Sequence, residues 1–111
     1  MTGSAPDVVI ILTTVPEGDL GEAVARRLIE ERLAACVNVY GPITSFYRWR
    51  GAVERETERQ VVIKTTRAHV PAVQACLAEL HSYDLPELLV LAVADGSTAY
   101  LAWVEGETSD A

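Results

Sequence analysis

Apolar residues follow two periods along this chain, and the switches between them mark out its elements. Val8 to Leu12 is an unbroken apolar run rich in β-branched residues, which reads as a central strand covered on both faces. Thr13 to Gly18 reads as a turn. Asp19 with Glu22 forms a helix start signal, and Leu20, Val24 and Leu28 recur every fourth position with Ala25 and Ile29 beside them. That spacing predicts an amphipathic helix to about Leu33. From Ala34 to Thr66 the period becomes two. Two strand-like runs fold back on each other at Trp49-Arg50-Gly51-Ala52, where a two-residue connection suits a tight hairpin.

The first arm alternates from Ala35 to Tyr40, breaks at Gly41-Pro42, and resumes through Ile43, Phe46, Tyr47 and Trp49. The break predicts a bulge or bend, because proline cannot donate to a ladder and glycine tolerates the backbone angles that bulges need. The returning arm, Val53 to Thr66, sets Glu54, Glu56 and Glu58 on one face and Arg55, Thr57 and Arg59 on the other. A short helix is its rival, since these residue types favour helices and the i,i+3 and i,i+4 charge pairs do not decide the matter. The tight connection favours strand. Arms of this length reach ~45 Å at ~3.3 Å per residue, well beyond an ordinary strand of ~5–6 residues.

Val70, Val73, Leu77 and Leu80 predict a second helix ending near His81, with Pro71 tolerated in its first turn. Leu85-Pro86 breaks the pattern, and Leu88 to Ala94 reads as another strand. Asp95-Gly96 turns into Ser97, a cap for a short helix carrying Tyr100, Leu101, Trp103 and Val104. Residues 1–6 and 106–111 read as frayed tails, and the whole as one domain over residues 1–111. The order β-α-β-β-α-β plus a terminal helix is an α+β, ferredoxin-like split β-α-β arrangement, with an antiparallel sheet and a long central hairpin.

Composition narrows the function classes. Sixteen acidic against nine basic side chains give a net charge of -7, which argues against nucleic acid and anionic membranes as partners. No apolar run approaches the ~20 residues of a membrane span. The first residues lack a basic stretch followed by an apolar one, so a cytoplasmic protein is expected. Cys36 and Cys76 stand forty positions apart, and no structural disulfide is expected in a reducing compartment.

Cys36 and His81 are the candidate metal ligands, because thiolate and imidazole suit copper or zinc. Their blander roles are a small buried hydrophobe on a strand and a helix-end residue favoured by the dipole. Cys76 lies near the Val73 and Leu80 stripe and reads as core; His69 reads as solvated. Trp49, Tyr83, Tyr100 and Trp103 are candidates for lining a pocket or anchoring an interface. Lys64 could face an anionic ligand, with Glu58 and Glu87 pairing with it. Gly18 and Gly21 alone make no phosphate-binding fingerprint.

Several segments together resemble one family. They are Ala35-Cys36-Val37-Asn38; Phe46-Tyr47-Arg48-Trp49 with Gly51; Glu58 ahead of Val62-Ile63-Lys64-Thr65; His81-Ser82-Tyr83-Asp84-Leu85-Pro86-Glu87; and Tyr100-Leu101 with Trp103. Their order and spacing resemble the CutA divalent-cation tolerance proteins across nearly the whole chain. Ser82 stands where that family usually has proline. The resemblance implies a ferredoxin-like subunit in a tight homotrimer, similar in architecture to the trimeric PII signalling proteins, and a link to tolerance of copper and other divalent ions. It implies no reaction, because fold and family do not license an enzyme. The leading expectation is a cytoplasmic homotrimer that responds to metal ions, binding copper or another divalent ion weakly and without catalysis. The alternative is a PII-like module that binds a small molecule or protein at intersubunit clefts. The overlong hairpin independently predicts assembly, since closed oligomers are the usual way to bury such edges.

Overall fold

The computed structural model describes residues 6–109. Four strands and three α-helices follow one another as β1 (Val8–Pro16), α1 (Leu20–Glu30), β2 (Cys36–Trp49), β3 (Ala52–Thr66), α2 (Val70–Leu80), β4 (Leu89–Ala92) and α3 (Thr98–Glu107), with a 3-10 turn over Arg67–His69 before α2. The strands form one antiparallel sheet in the order β2-β3-β1-β4. This is the expected α+β arrangement.

Alternation along the strands assigns the two sheet faces. Val9, Ile11 and Val15 of β1 and Val61 and Ile63 of β3 are fully buried, together with Val24 and Leu28 of α1 and Val73 and Leu77 of α2. Helices α1 and α2 therefore cover that face. Arg27 binds them to each other, pairing with Glu31 at 2.8 Å and with Glu79 at 2.9 Å. On the other face α3 packs against β1 and β3 and buries Val104, while Val8 and its partner Thr66 are buried at the same end of the sheet. Beyond α3 that face stays open. Ile10, Leu12, Val62, Cys36 and Lys64 are only half-buried there, and Leu89 and Leu91 remain 54% and 48% exposed.

The hairpin makes the molecule 54 Å long but only 26 × 23 Å across. At its tip Arg50 (φ 50°) and Gly51 (φ 83°) both lie in the left-handed region, the backbone of a type I′ turn. The bulge falls between Val39 and Pro42, as Gly41-Pro42 predicted. Gly41 itself does not have a positive φ there. Arg59 fastens the bulge to the helical layer, donating to the Tyr40 carbonyl at 3.0 Å, to the Gly18 carbonyl at 2.9 Å and to Glu22 at 3.1 Å.

Four boundaries differ from the sequence reading. β1 continues through the expected turn to Pro16, because Thr13 and Val15 are fully buried and β3 pairs with the strand throughout. α1 stops at Glu30 rather than Leu33: Arg32 takes φ 59°, and the Leu33 and Arg32 amides bond back to the Leu28 and Ile29 carbonyls. That is a Schellman ending, with arginine where glycine is usual. β4 spans only Leu89–Ala92, since its pairing with β1 ends there. α3 runs on to Glu107, and Thr108 is buried, with its hydroxyl donating to the Val104 carbonyl at 3.0 Å. Residues 1–5 and 110–111 of the expected tails lie outside the described residues.

Candidate functional site

β4 begins at Leu89, opposite Leu12, so the flank of β1 at Thr13 and Thr14 lies beyond it, and the loop from α2 to β4 packs against that flank. His81, in extended backbone at the end of α2, starts that loop. Its Nε2 donates to the Thr14 carbonyl at 2.6 Å, and its Nδ1 accepts the Tyr83 amide at 3.1 Å. A carbonyl can only accept and an amide N–H can only donate, so the ring is the neutral Nε2–H tautomer. The His81 and Tyr83 rings lie 4.6 Å apart, and this places the Tyr83 hydroxyl to donate to Glu58 Oε2 at 2.8 Å. Gln60 closes the network, donating to the Thr13 carbonyl at 2.6 Å and to Glu87 Oε2 at 3.3 Å.

These contacts frame a cleft of about 850 Å³ between the loop and the hairpin. Trp49, Tyr47, Glu58, Tyr83, Asp84 and Glu87 line it, and none of its lining residues is basic. Strand pairing explains the charge. Tyr47 stands opposite Glu54, Ser45 opposite Glu56 and Ile43 opposite Glu58, and cross-strand partners share a face. The Tyr47 phenol is accordingly held above its ordinary range by burial and then by Glu56, Glu54 and Glu58. Tyr83 is raised further, first by burial, then by its hydrogen bond to Glu58 and the charge on that carboxylate. Both phenols stay protonated in a negative field.

Four of the nine residues singled out from sequence meet in this cleft: Trp49, Glu58, Tyr83 and Glu87. Lys64 does not. It stands opposite Cys36 on the open sheet face, six positions along β3 from Glu58, or about 20 Å at the rise of a strand. The expected pairing of Lys64 with Glu58 and Glu87 is therefore absent among the described residues. Tyr100 and Trp103 stack on each other across α3 at 5.5 Å, half-exposed and outside the cleft.

Cys36 and His81 are not brought together within one chain. Cys36 is level with Ile10 through Lys64, whereas His81 bonds Thr14, about 13 Å further along β1. Both His81 ring nitrogens are also occupied, and no three His, Cys, Asp or Glu side chains converge as metal ligands among the described residues. A single chain's residues thus do not fit a copper site. Cys76 is buried as expected, and burial pushes its thiol upward. His69 is only half-exposed and bonds Thr66 Oγ1 at 2.6 Å through Nδ1, so it is less solvated than its position suggested.

Sequence reasoning missed Tyr47, Gln60 and Asp84. The alternation of Glu54, Glu56 and Glu58 signalled an acidic face, but only the register across the bulge shows that Tyr47 shares it.

Known proteins share this architecture. A protein from Citrobacter koseri named divalent-cation tolerance protein CutA is 42% identical over 101 residues, covering 91% of this chain and 88% of its own. The crystal structure of CutA1 from Oryza sativa matches with TM-score 0.91 and 33% identity, covering 97% of this chain and 100% of that one. CutA from Xylella fastidiosa matches with TM-score 0.90 and 41% identity, covering 93% and 99%. With residues 9–107 matching the CutA1 divalent ion tolerance protein family, from the first buried strand through the last helix, the chain belongs to that family.

Proposed function

We propose that this chain acts as a homotrimeric, non-catalytic divalent-cation tolerance protein that binds copper or another divalent ion weakly. Family membership over residues 9–107 supports the cation-tolerance role. The observation that carries assembly is the open sheet face, where Ile10, Leu12, Val62, Leu89 and Leu91 lie together and two of the five are about half-exposed. Monomers rarely leave such a contiguous apolar patch uncovered. The hairpin adds Phe46 and Val53, each 68% exposed.

A copper site using Cys36 and His81 draws them from different chains, and His81 must release the Thr14 carbonyl or the Tyr83 amide to ligate. Such a site is weak because metal binding competes with hydrogen bonds already made. Copper is preferred over zinc at a mixed sulfur and nitrogen site. Calorimetric titration of copper into wild type, Cys36→Ala and His81→Ala tests this, with circular dichroism to confirm folding. Loss of binding in either variant supports the pair; unchanged binding in both places the ligands elsewhere. Cytoplasmic location belongs to the same reading, supported by two free cysteines, and cell fractionation tests it.

A further inference from the structure

The cleft beside Glu58 differs from a metal site in its walls. Glu58 is 6% exposed, and its Oε2 takes the Tyr83 hydroxyl. Its Oε1 has no hydrogen bond among the described residues, yet no fully buried side-chain oxygen is left without a partner. Oε1 therefore keeps some exposure, and Glu58 lines the cleft. No arginine, lysine or histidine pairs with Glu58, Asp84 or Glu87 among the described residues. A nine-tenths-buried carboxylate without a counter-charge is costly, and one that faces a cleft is set to receive a cation.

Two features select the kind of cation. The walls are aromatic and apolar, with Tyr47, Trp49 and Tyr83 on the same side as the carboxylates and Leu85 and Leu88 on the loop. A small hydrated metal ion gains little from such walls, while an alkylammonium gains from its methylenes and from the ring faces. The chain itself shows that aromatic side chains here take nitrogen cations: Arg50 lies 5.4 Å over the Trp49 ring, and Arg55 lies 5.9 Å over Phe46. No basic residue of the hairpin lines the cleft, although Arg50 lies over the Trp49 ring that walls it. Arg48 and Arg55 alternate onto the opposite strand face, and Arg59 is spent on Glu22 and two carbonyls.

We propose that this cleft binds an aliphatic amine or diamine, its ammonium held by Glu58 Oε1 and its carbon chain lying between Tyr47, Trp49 and Tyr83. Asp84 and Glu87 at the rim receive the second ammonium of a diamine. The proposal uses neither Cys36 nor His81, the proposed copper ligands.

Putrescine is the probe, titrated by calorimetry into the full chain in its native assembly, beside butanediol as the neutral isostere and magnesium chloride as the equally charged metal. Putrescine should bind at millimolar concentrations or below and butanediol should not. Magnesium should compete only as a screening salt. Glu58→Gln keeps the acceptor for Tyr83 but removes the charge, and should weaken putrescine by about tenfold or more, the scale of one hydrogen bond to a charged group. Equal binding of butanediol, equal displacement by magnesium, or no putrescine binding at tens of millimolar overturns the proposal. These wild-type contrasts decide the matter even where the variant does not fold. A folded Glu58→Gln that binds putrescine like wild type overturns it as well.

Discussion

Tyr83→Phe removes a single oxygen atom and tests whether the Glu58 carboxylate holds the loop after α2. The hydroxyl donates to Oε2 at 2.8 Å, and Glu58 is 6% exposed, so water reaches the orphaned oxygen only from the cleft. A hydrogen bond to a charged group contributes about 1.5–3 kcal/mol; replacement by cleft water favours the low end, about 1.5 kcal/mol. Glu58→Gln retains an acceptor and should cost less, about 0.5–1 kcal/mol. Because the two groups share one interaction, the double variant should fall short of the sum by about 1 kcal/mol. The assay is guanidinium unfolding followed by circular dichroism at fixed chain concentration, since linked assembly moves the midpoint. The contact also has a signature in alkali. The Tyr83 phenol is raised above its ordinary range in the folded chain, so the folded state keeps its proton after the unfolded state has lost it. The resulting stabilisation is complete below the unfolded tyrosine value of ~10 and is lost as pH rises beyond it. Tyr83→Phe should therefore flatten the alkaline fall in stability. Additive costs in the cycle, or alkaline limbs of equal slope, would refute the reasoning.

Other substitutions separate backbone from packing effects. Gly51→Ala should destabilise by about 1–2 kcal/mol, the cost of left-handed backbone for a residue with a Cβ, although nothing lies within 4 Å of the added methyl. Gly41→Ala, equally open but without a positive φ, should be neutral or stabilising by up to about 1 kcal/mol; denaturant midpoints compare the two. Leu77→Ala, 1% exposed between α2 and the sheet, should cost about 2–5 kcal/mol in the same measurement.

The elements legible in the sequence were those whose periodicity reports burial directly. The Leu20-Val24-Leu28 and Val70-Val73-Leu77 stripes pack as their spacing required, whereas Val8 to Leu12, read as covered on both faces, buries Val9 and Ile11 under the helices and leaves Ile10 and Leu12 half-buried on the open face. The hairpin tip and bulge were legible because Arg50-Gly51 and Gly41-Pro42 act on the backbone locally. Endings set by tertiary contacts were not. Arg32 stops α1 without a glycine to announce it, while its guanidinium donates to the carbonyls of Glu107, the last residue of α3, and of Ser109 just past it, a partnership some 75 residues away in sequence. The site was half legible for the same reason. Residue types nominated Trp49, Glu58, Tyr83 and Glu87, but only the sheet register could separate Lys64 from them and place Tyr47 among them. Cys36 and His81 matched in chemistry alone, and chemistry carries no information about strand position.

Assembly of three copies over the open sheet face is the claim on which the account most depends. Sedimentation equilibrium from micromolar concentration downward measures it directly, with the 12.0 kDa chain as the unit. The account predicts a species of three times that mass at micromolar concentration, with no folded monomer accumulating on dilution. A compact, folded monomer at micromolar concentration, with Leu89 and Leu91 left in water, would contradict it.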